Sequence, residues 1–147
     1  MYDAVLVPTD GSEGSATAAE HAIDLAERHD ASLHALHVLE TEQVVDQIPD
    51  FEDSSIFDRL ADAGQQAVDD VRAQAENADI DTVTTAVEQG VPHEEVVDYV
   101  ERHDIDVVVM ATEGRTGPSR ELIGSVTESV VRASPVPVLA VKVGGEA

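Results

Sequence analysis

Cysteine and tryptophan are absent from the 147 residues, and aromatic side chains make up only 3%. Without cysteine there is neither a disulfide framework nor a thiolate metal site. Positive charge is scarce as well. Lys142 is the single lysine, and 8 basic side chains stand against 31 Asp and Glu, a formal net charge of -23. That imbalance argues against nucleic acid as a partner, because its phosphates would be repelled. Long hydrophobic runs are missing too: none approaches the ~20 apolar residues a membrane-spanning helix needs. The N-terminus lacks a signal-peptide layout. The expectation is a soluble cytoplasmic protein with no membrane association.

What remains is a chain of 42% hydrophobic residues, dominated by Val and Ala. At this length, residues 1–147 read as one domain, able to bury about two thirds of its unfolded surface. Acidity of this degree often marks disorder, but apolar periodicity runs through nearly every segment, so disorder fits poorly. A carboxylate-rich surface instead suits a salt-saturated cytoplasm, where screening acts within about 3 Å at molar salt. A halophilic source is expected, with loosening of the fold on dialysis into low salt. The charge is also uneven. Residues 1–110 hold 27 acidic and 4 basic side chains, whereas residues 111–147 hold 4 of each, including Arg115, Arg120 and Arg132.

Periodicity predicts the elements. Ala4 to Pro8 reads as a strand that ends in the turn cluster Thr9-Asp10-Gly11-Ser12, with Asp10 or Ser12 capping a helix over about 13–29. Ser32 to Val38 is a second strand, and 40–54 an acidic exposed loop. Ile56, Leu60, Ala63, Ala67 and Val71 mark a helix ending near Asn77. Thr82 to Val87 is a third strand, and Gly90-Val91-Pro92 leads into a helix with Val96, Val97 and Val100 inward. Asp106 to Ala111 is a fourth strand. A helix carrying Leu122, Ile123, Val126 and Val130 stops at Pro135, and Val136 to Val143 is the last strand. Alternation of this kind predicts an α/β fold, a five-stranded parallel sheet with helices on both faces.

The run Val107-Val108-Val109-Met110 opens onto a glycine-bearing tract, Ala111-Thr112-Glu113-Gly114-Arg115-Thr116-Gly117, which leads on to Gly124-Ser125-Val126-Thr127. A glycine loop between a strand end and a helix start is where such sheets hold phosphates. The backbone can be approached closely, and the first helical N–H groups point at an anion. The same glycines also suit plain tight turning. If the first and fourth strands are neighbours, Asp10 and this tract line one crevice at the carboxyl ends of the strands.

Val7-Pro8-Thr9-Asp10-Gly11-Ser12, Gly90-Val91-Pro92 and the 111–126 tract together resemble the universal stress protein family over essentially the whole chain. Its ATP-binding members carry glycine, two residues, glycine, nine residues, then glycine with Ser or Thr. Gly114 and Gly124-Ser125 fit; Ala111 occupies the place of the first glycine. The resemblance implies a three-layer α/β/α, doubly wound, adenine-nucleotide α-hydrolase-like fold with strand order 3-2-1-4-5. It implies that Pro8, Thr9 and Asp10 line an adenosine pocket, with Asp10 accepting from ribose hydroxyls and Val38 on the adenine. Gly114, Gly124, Ser125 and Val126 would bind the phosphates through backbone N–H groups, with Thr127 assisting and the methyl of Ala111 narrowing the approach to a ribose or phosphate; Arg115 and Arg120 are candidate phosphate neighbours. Mg²⁺ or Mn²⁺ would bridge the phosphate oxygens of ATP, with no metal ligand taken directly from the protein. The last strand, Val136 to Val143, would pair with its copy in a homodimer.

Other readings stand beside these. Asp10 is equally a helix cap, and Arg115 and Arg120 are equally solvated. Six scattered histidines show no metal spacing and read as surface or core residues. His34 and His37, three apart on a strand, fall on opposite faces. The acidic run 50–53 lacks a calcium-loop arrangement. Ser12 has no nucleophile elbow, and both the P-loop and the dinucleotide fingerprint are missing. No catalytic residue is assigned, and ATP hydrolysis, if present, is expected to be slow. The leading function is a dimeric, ATP-binding stress-response module or nucleotide-dependent switch. One alternative, favoured by Ala111 and Glu113, is a family member acting through protein partners alone. The other is an ATP-pyrophosphatase or adenylating enzyme, disfavoured because the first strand does not end in a Ser-Gly-Gly loop.

Overall fold

A computed structural model describes residues 2–40, 54–112 and 124–142. The element order is β1 (Ala4–Pro8), α1 (Glu13–His29), β2 (Ser32–Glu40), α2 (Ser54–Asn77), β3 (Val83–Gly90), α3 (Pro92–Arg102), β4 (Val107–Ala111), α4 (Ser125–Ala133) and β5 (Val138–Val141). The five strands form one sheet in the order β3-β2-β1-β4-β5, every pairing parallel. The anticipated architecture and strand order are those observed.

The apolar runs of β1 and β4 follow from their central places. Val5 and Val7 enter one core while Ala4 and Leu6 enter the other; Val107 and Val109 likewise oppose Val108 and Met110. A strand covered on both faces has no side left for polar residues. The first core is closed by α1 and α2, through Ala18, Ala19, Ala22 and Ala26 and through Val68, Val71 and Ala75. The second is closed by α3 and α4, through Val96, Tyr99, Val100 and Val130. Small side chains along α1 bring that helix close to the sheet, which is how a chain so poor in aromatics still fills its interior.

Several expectations are corrected. Val97 is half-buried, and the inner face of α3 is Val96, Tyr99 and Val100. The Tyr99 ring reaches the core because its hydroxyl finds His34 Nδ1 at 2.8 Å, so no polar atom is stranded. β2 extends to Glu40, and α2 already starts at Ser54. The ladder to β3 continues to the pair Glu40–Gly90, which carries the strand past Val38. β5 runs Val138–Val141, starting later than the expected Val136, and Val143 lies outside the described residues. Pro137 still accepts a bond from Val108 N at 3.0 Å, but the strand proper begins at Val138. As expected, β5 is an edge strand, and Leu139 on it is 44% exposed. The expectations for residues 41–53, Glu113, Gly114, Arg115, Arg120, Leu122 and Ile123 fall outside the described residues.

Candidate functional site

Strand order reverses between β1 and β4: α1 leads from β1 outward to β2, and the chain later returns to place β4 on β1's other side. Crevices form at such a reversal, beyond the carboxyl ends of the two strands. A cavity of about 300 Å³ lies there.

On the β1 side the turn is tightly braced. Thr9 N donates to Leu36 O at 2.8 Å, and Gly11 N donates to Thr9 Oγ1 at 3.2 Å. Gly11 sits at φ 82°, in the left-handed region that favours glycine. Ser12, not Asp10, is the N-cap of α1, its hydroxyl accepting from Ser15 N at 3.1 Å. Asp10 takes a different place. Its Oδ1 accepts from Ser12 N at 2.9 Å and from the Ser15 hydroxyl at 2.8 Å, while its own N–H donates to Ser15 Oγ at 3.2 Å. Charge-assisted bonds of this type fix a carboxylate firmly.

On the β4 side, Thr112 N donates to Val141 O at 2.9 Å, and Thr112 O accepts from Gly124 N at 2.5 Å. The chain therefore returns to its point of departure before starting α4. Gly124 is the N-cap and brings no side-chain acceptor to the first turn. The opening N–H groups of α4 have no partner within the helix, and the dipole there favours negative charge. Buried Thr127 donates its hydroxyl to Ala111 O at 2.7 Å, locking α4 to the end of β4.

The cavity draws both sides together. Of the residues anticipated from the sequence, Pro8, Thr9, Asp10, Val38, Ala111, Gly124, Ser125, Val126 and Thr127 line it. Gly114 and Arg115 lie outside the described residues. Sequence reasoning missed other parts of the wall. Ser15 and Thr112 are buried polar residues on it, and His37 lies beside Val38. Leu60 and Ala63, which in the sequence only mark the apolar stripe of a helix, line the cavity as well. The apolar stripe of α2 continues beyond the core it covers with Ala67, Val68 and Val71. The signal was present in the periodicity, but a stripe does not reveal where the core beneath it ends. Among the described lining residues, Asp10 and Glu40 carry negative charge and none is Lys or Arg. No group of three or more His, Asp or Glu among the described residues could hold a metal ion. His34 and His37 part as expected: His34 faces Tyr99 and His103, and His37 faces Thr9.

A second hollow of about 430 Å³ opens at the amino end of the sheet, lined by Glu27, Asp30, Asp79 and Asp81. It gathers carboxylates without a helix N-terminus, so the smaller cavity at the strand reversal is the better candidate for an anionic ligand.

Comparison with known proteins matches residues 1–142 to the model of the universal stress protein family. The chain belongs to this family. Universal stress protein MJ0531 of Methanocaldococcus jannaschii is 37% identical over 142 residues, covering 97% of this chain and 83% of the relative. Among solved structures, MJ0577 of the same organism has a TM-score of 0.86 at 29% identity, covering 99% of each chain. Universal stress protein UspA of Lactobacillus plantarum has a TM-score of 0.83 at 28% identity, covering 95% of this chain and 97% of its own. A universal stress protein in complex with cAMP shares the fold, with a TM-score of 0.70 at 22% identity, covering 96% of this chain and 97% of its own. No helix among the described residues is long and apolar enough to cross a membrane.

Proposed function

We propose that this universal stress protein binds an adenine nucleotide, ATP with Mg²⁺ or Mn²⁺, and acts as a dimeric cytoplasmic binding module or nucleotide-dependent switch. One observation carries the reading: the Asp10 carboxylate and the N-terminal turn of α4 at Gly124 and Ser125 line the same cavity. The first is suited to the hydroxyls of a sugar, the second to phosphate oxygens. Pro8, Leu36, Val38 and Leu60 supply an apolar wall for a base. The cAMP complex of a relative supports an adenine nucleotide as the ligand class.

The donor set fits the nucleotide better than it fits a bare ion. Asp10, Ser125 and the amides of α4 would hold the ligand, and the family motif adds Gly114, with Arg115 next to it in sequence, as candidate phosphate contacts. The cation, when bound, neutralises phosphate charge and keeps most of its own waters. That neutralisation matters in a chain of net charge -23. Slow hydrolysis, if any, is in keeping with a chain whose single lysine is Lys142. The homodimer would form through Val136 to Val143, where β5 is an apolar sheet edge with Leu139 exposed. The acidic surface supports a halophilic setting.

A second reading, a member that works through protein partners alone, is favoured by Ala111 and by the lack of a basic side chain among the described lining residues. Calorimetric titration with Mg-ATP in molar salt separates the two. Saturable heat is expected, and none up to about 1 mM ligand, a binding energy weaker than roughly 4 kcal/mol, ends the nucleotide reading.

A further inference from the structure

His37 occupies a junction that its place in the sequence does not announce. Its Nδ1 lies 2.9 Å from the main-chain oxygen of Thr9. A carbonyl oxygen only accepts, so Nδ1 carries the hydrogen and donates it. The Thr9 amide in turn donates to Leu36 O at 2.8 Å. Thr9 is thus tied to β2 through both its N–H and its C=O, immediately before Asp10. The other side of the imidazole rests on Gly64 of α2. A Cβ built at Gly64 would stand 3.0 Å from Nε2 and 3.1 Å from Cγ, and closer still to Cδ2. Any side chain at position 64 therefore forces the ring to move. Glycine is a poor choice for a helix interior, where alanine is favoured. The space the imidazole needs gives Gly64 its reason.

We infer that His37 is a positioning residue that sets the selectivity of the cavity for ribose hydroxyls, with Gly64 as its seat. The inference rests on the proposal that Asp10 accepts from those hydroxyls. Ser12 and Ser15 hold the Asp10 carboxylate within its own turn. That turn hangs from the Thr9 peptide, and the imidazole fixes the peptide's plane against β2 and α2. The N–H of the same peptide, that of Asp10, stays on Ser15 Oγ at 3.2 Å, so removing the ring's N–H frees the carbonyl side alone, tilts the peptide about the remaining bond and misdirects the Asp10 carboxylate. Hydrogen bonds lose strength steeply with misdirection, so the selectivity is lost while the apolar wall for the base stays.

The test is calorimetric titration of the full chain with Mg-ATP and with the magnesium complex of 2′,3′-dideoxy-ATP, on the wild type, His37→Leu, His37→Asn and Gly64→Ala. The wild type should prefer the ribonucleotide by about ten-fold or more, as expected for a site built around a substrate hydroxyl. His37→Leu and Gly64→Ala should reduce that preference to about two-fold. His37→Asn, whose amide can offer an N–H to Thr9 O in place of Nδ1, should restore most of it. Should His37→Leu fail to fold by far-UV circular dichroism, Gly64→Ala carries the same comparison. An unchanged preference in Gly64→Ala or His37→Leu overturns the role of His37 alone. Equal affinity of the wild type for both nucleotides overturns it by removing the selectivity. Absence of binding by the wild type to either nucleotide overturns it together with the nucleotide reading.

Discussion

Replacing Ser15 by alanine removes a hydroxyl that is 5% exposed and joins three partners. It donates to Asp10 Oδ1 at 2.8 Å, accepts from Asp10 N at 3.2 Å, and lies 3.3 Å from the Ser12 hydroxyl. The bond to the carboxylate is charge-assisted, and losing such a bond costs about 1.5–3 kcal/mol. Alanine's higher helix propensity in α1 returns about 0.5 kcal/mol. The net destabilisation should therefore be about 2 kcal/mol, which in a chain of this size lowers Tm by roughly 4–8 °C. In urea at fixed molar salt, with a slope of about 2 kcal/mol/M, the midpoint falls by about 1 M. Ser12→Ala, which removes the N-cap of α1, should cost about 1 kcal/mol. Because the two hydroxyls touch, the double variant should be non-additive by about 0.5 kcal/mol or more. A loss from Ser15→Ala below about 0.5 kcal/mol, the scale of an ordinary surface change, would refute the claim that this hydroxyl anchors Asp10.

Burial, and to a lesser degree the neighbouring His103, lowers the pKa of His34. Its folded pKa thus lies below its unfolded value, so the stability it permits is present above about pH 6.5 and is lost as pH falls through the folded value. His34→Gln should flatten that slope in urea titrations run across the acid range. Asp30 closes α1 at φ 54°, its N–H donating to Ala26 O and Glu27 O, and it sets a negative charge where the helix dipole disfavours one. Asp30→Gly should keep those bonds and raise stability by about 0.5–1 kcal/mol, measured by the urea midpoint. Leu139→Asp on the β5 edge should shift the protein from dimer to monomer in sedimentation at micromolar concentration with Tm nearly unchanged; a wild type already monomeric there refutes pairing through that strand.

The sheet was legible because its central strands are buried on both faces. Only an unbroken run such as Val107 to Met110 can occupy that position, and only crossover helices can join such strands in parallel. The two strand-end motifs were legible for a similar reason: turn chemistry at Asp10-Gly11-Ser12 and glycine at position 124 are local demands that a sequence states directly. Boundaries were less so. β2 overshoots Val38 because β3 offers it a partner as far as Gly90, which is a tertiary fact. The inner face of α3 was misjudged at Val97 because the valines of Val96-Val97 look alike in sequence, whereas Tyr99 needs His34, from a distant strand, before its hydroxyl can be buried. The cavity wall formed by His37, Leu60 and Ala63 was hidden for the same reason. Periodicity gives the face of an element but not what lies opposite that face.

The short bond between Thr112 and Gly124 has a consequence for how this scaffold can diversify. Thr112 and Gly124, the residues on either side of positions 113–123, meet directly, while the end of β4 and the start of α4 are held together by Thr127 and Ala111. The entropic penalty for lengthening such a segment grows only logarithmically. Evolution, or a protein engineer, can thus change the length of chain between those two residues while the strands and α4 beneath keep their registration.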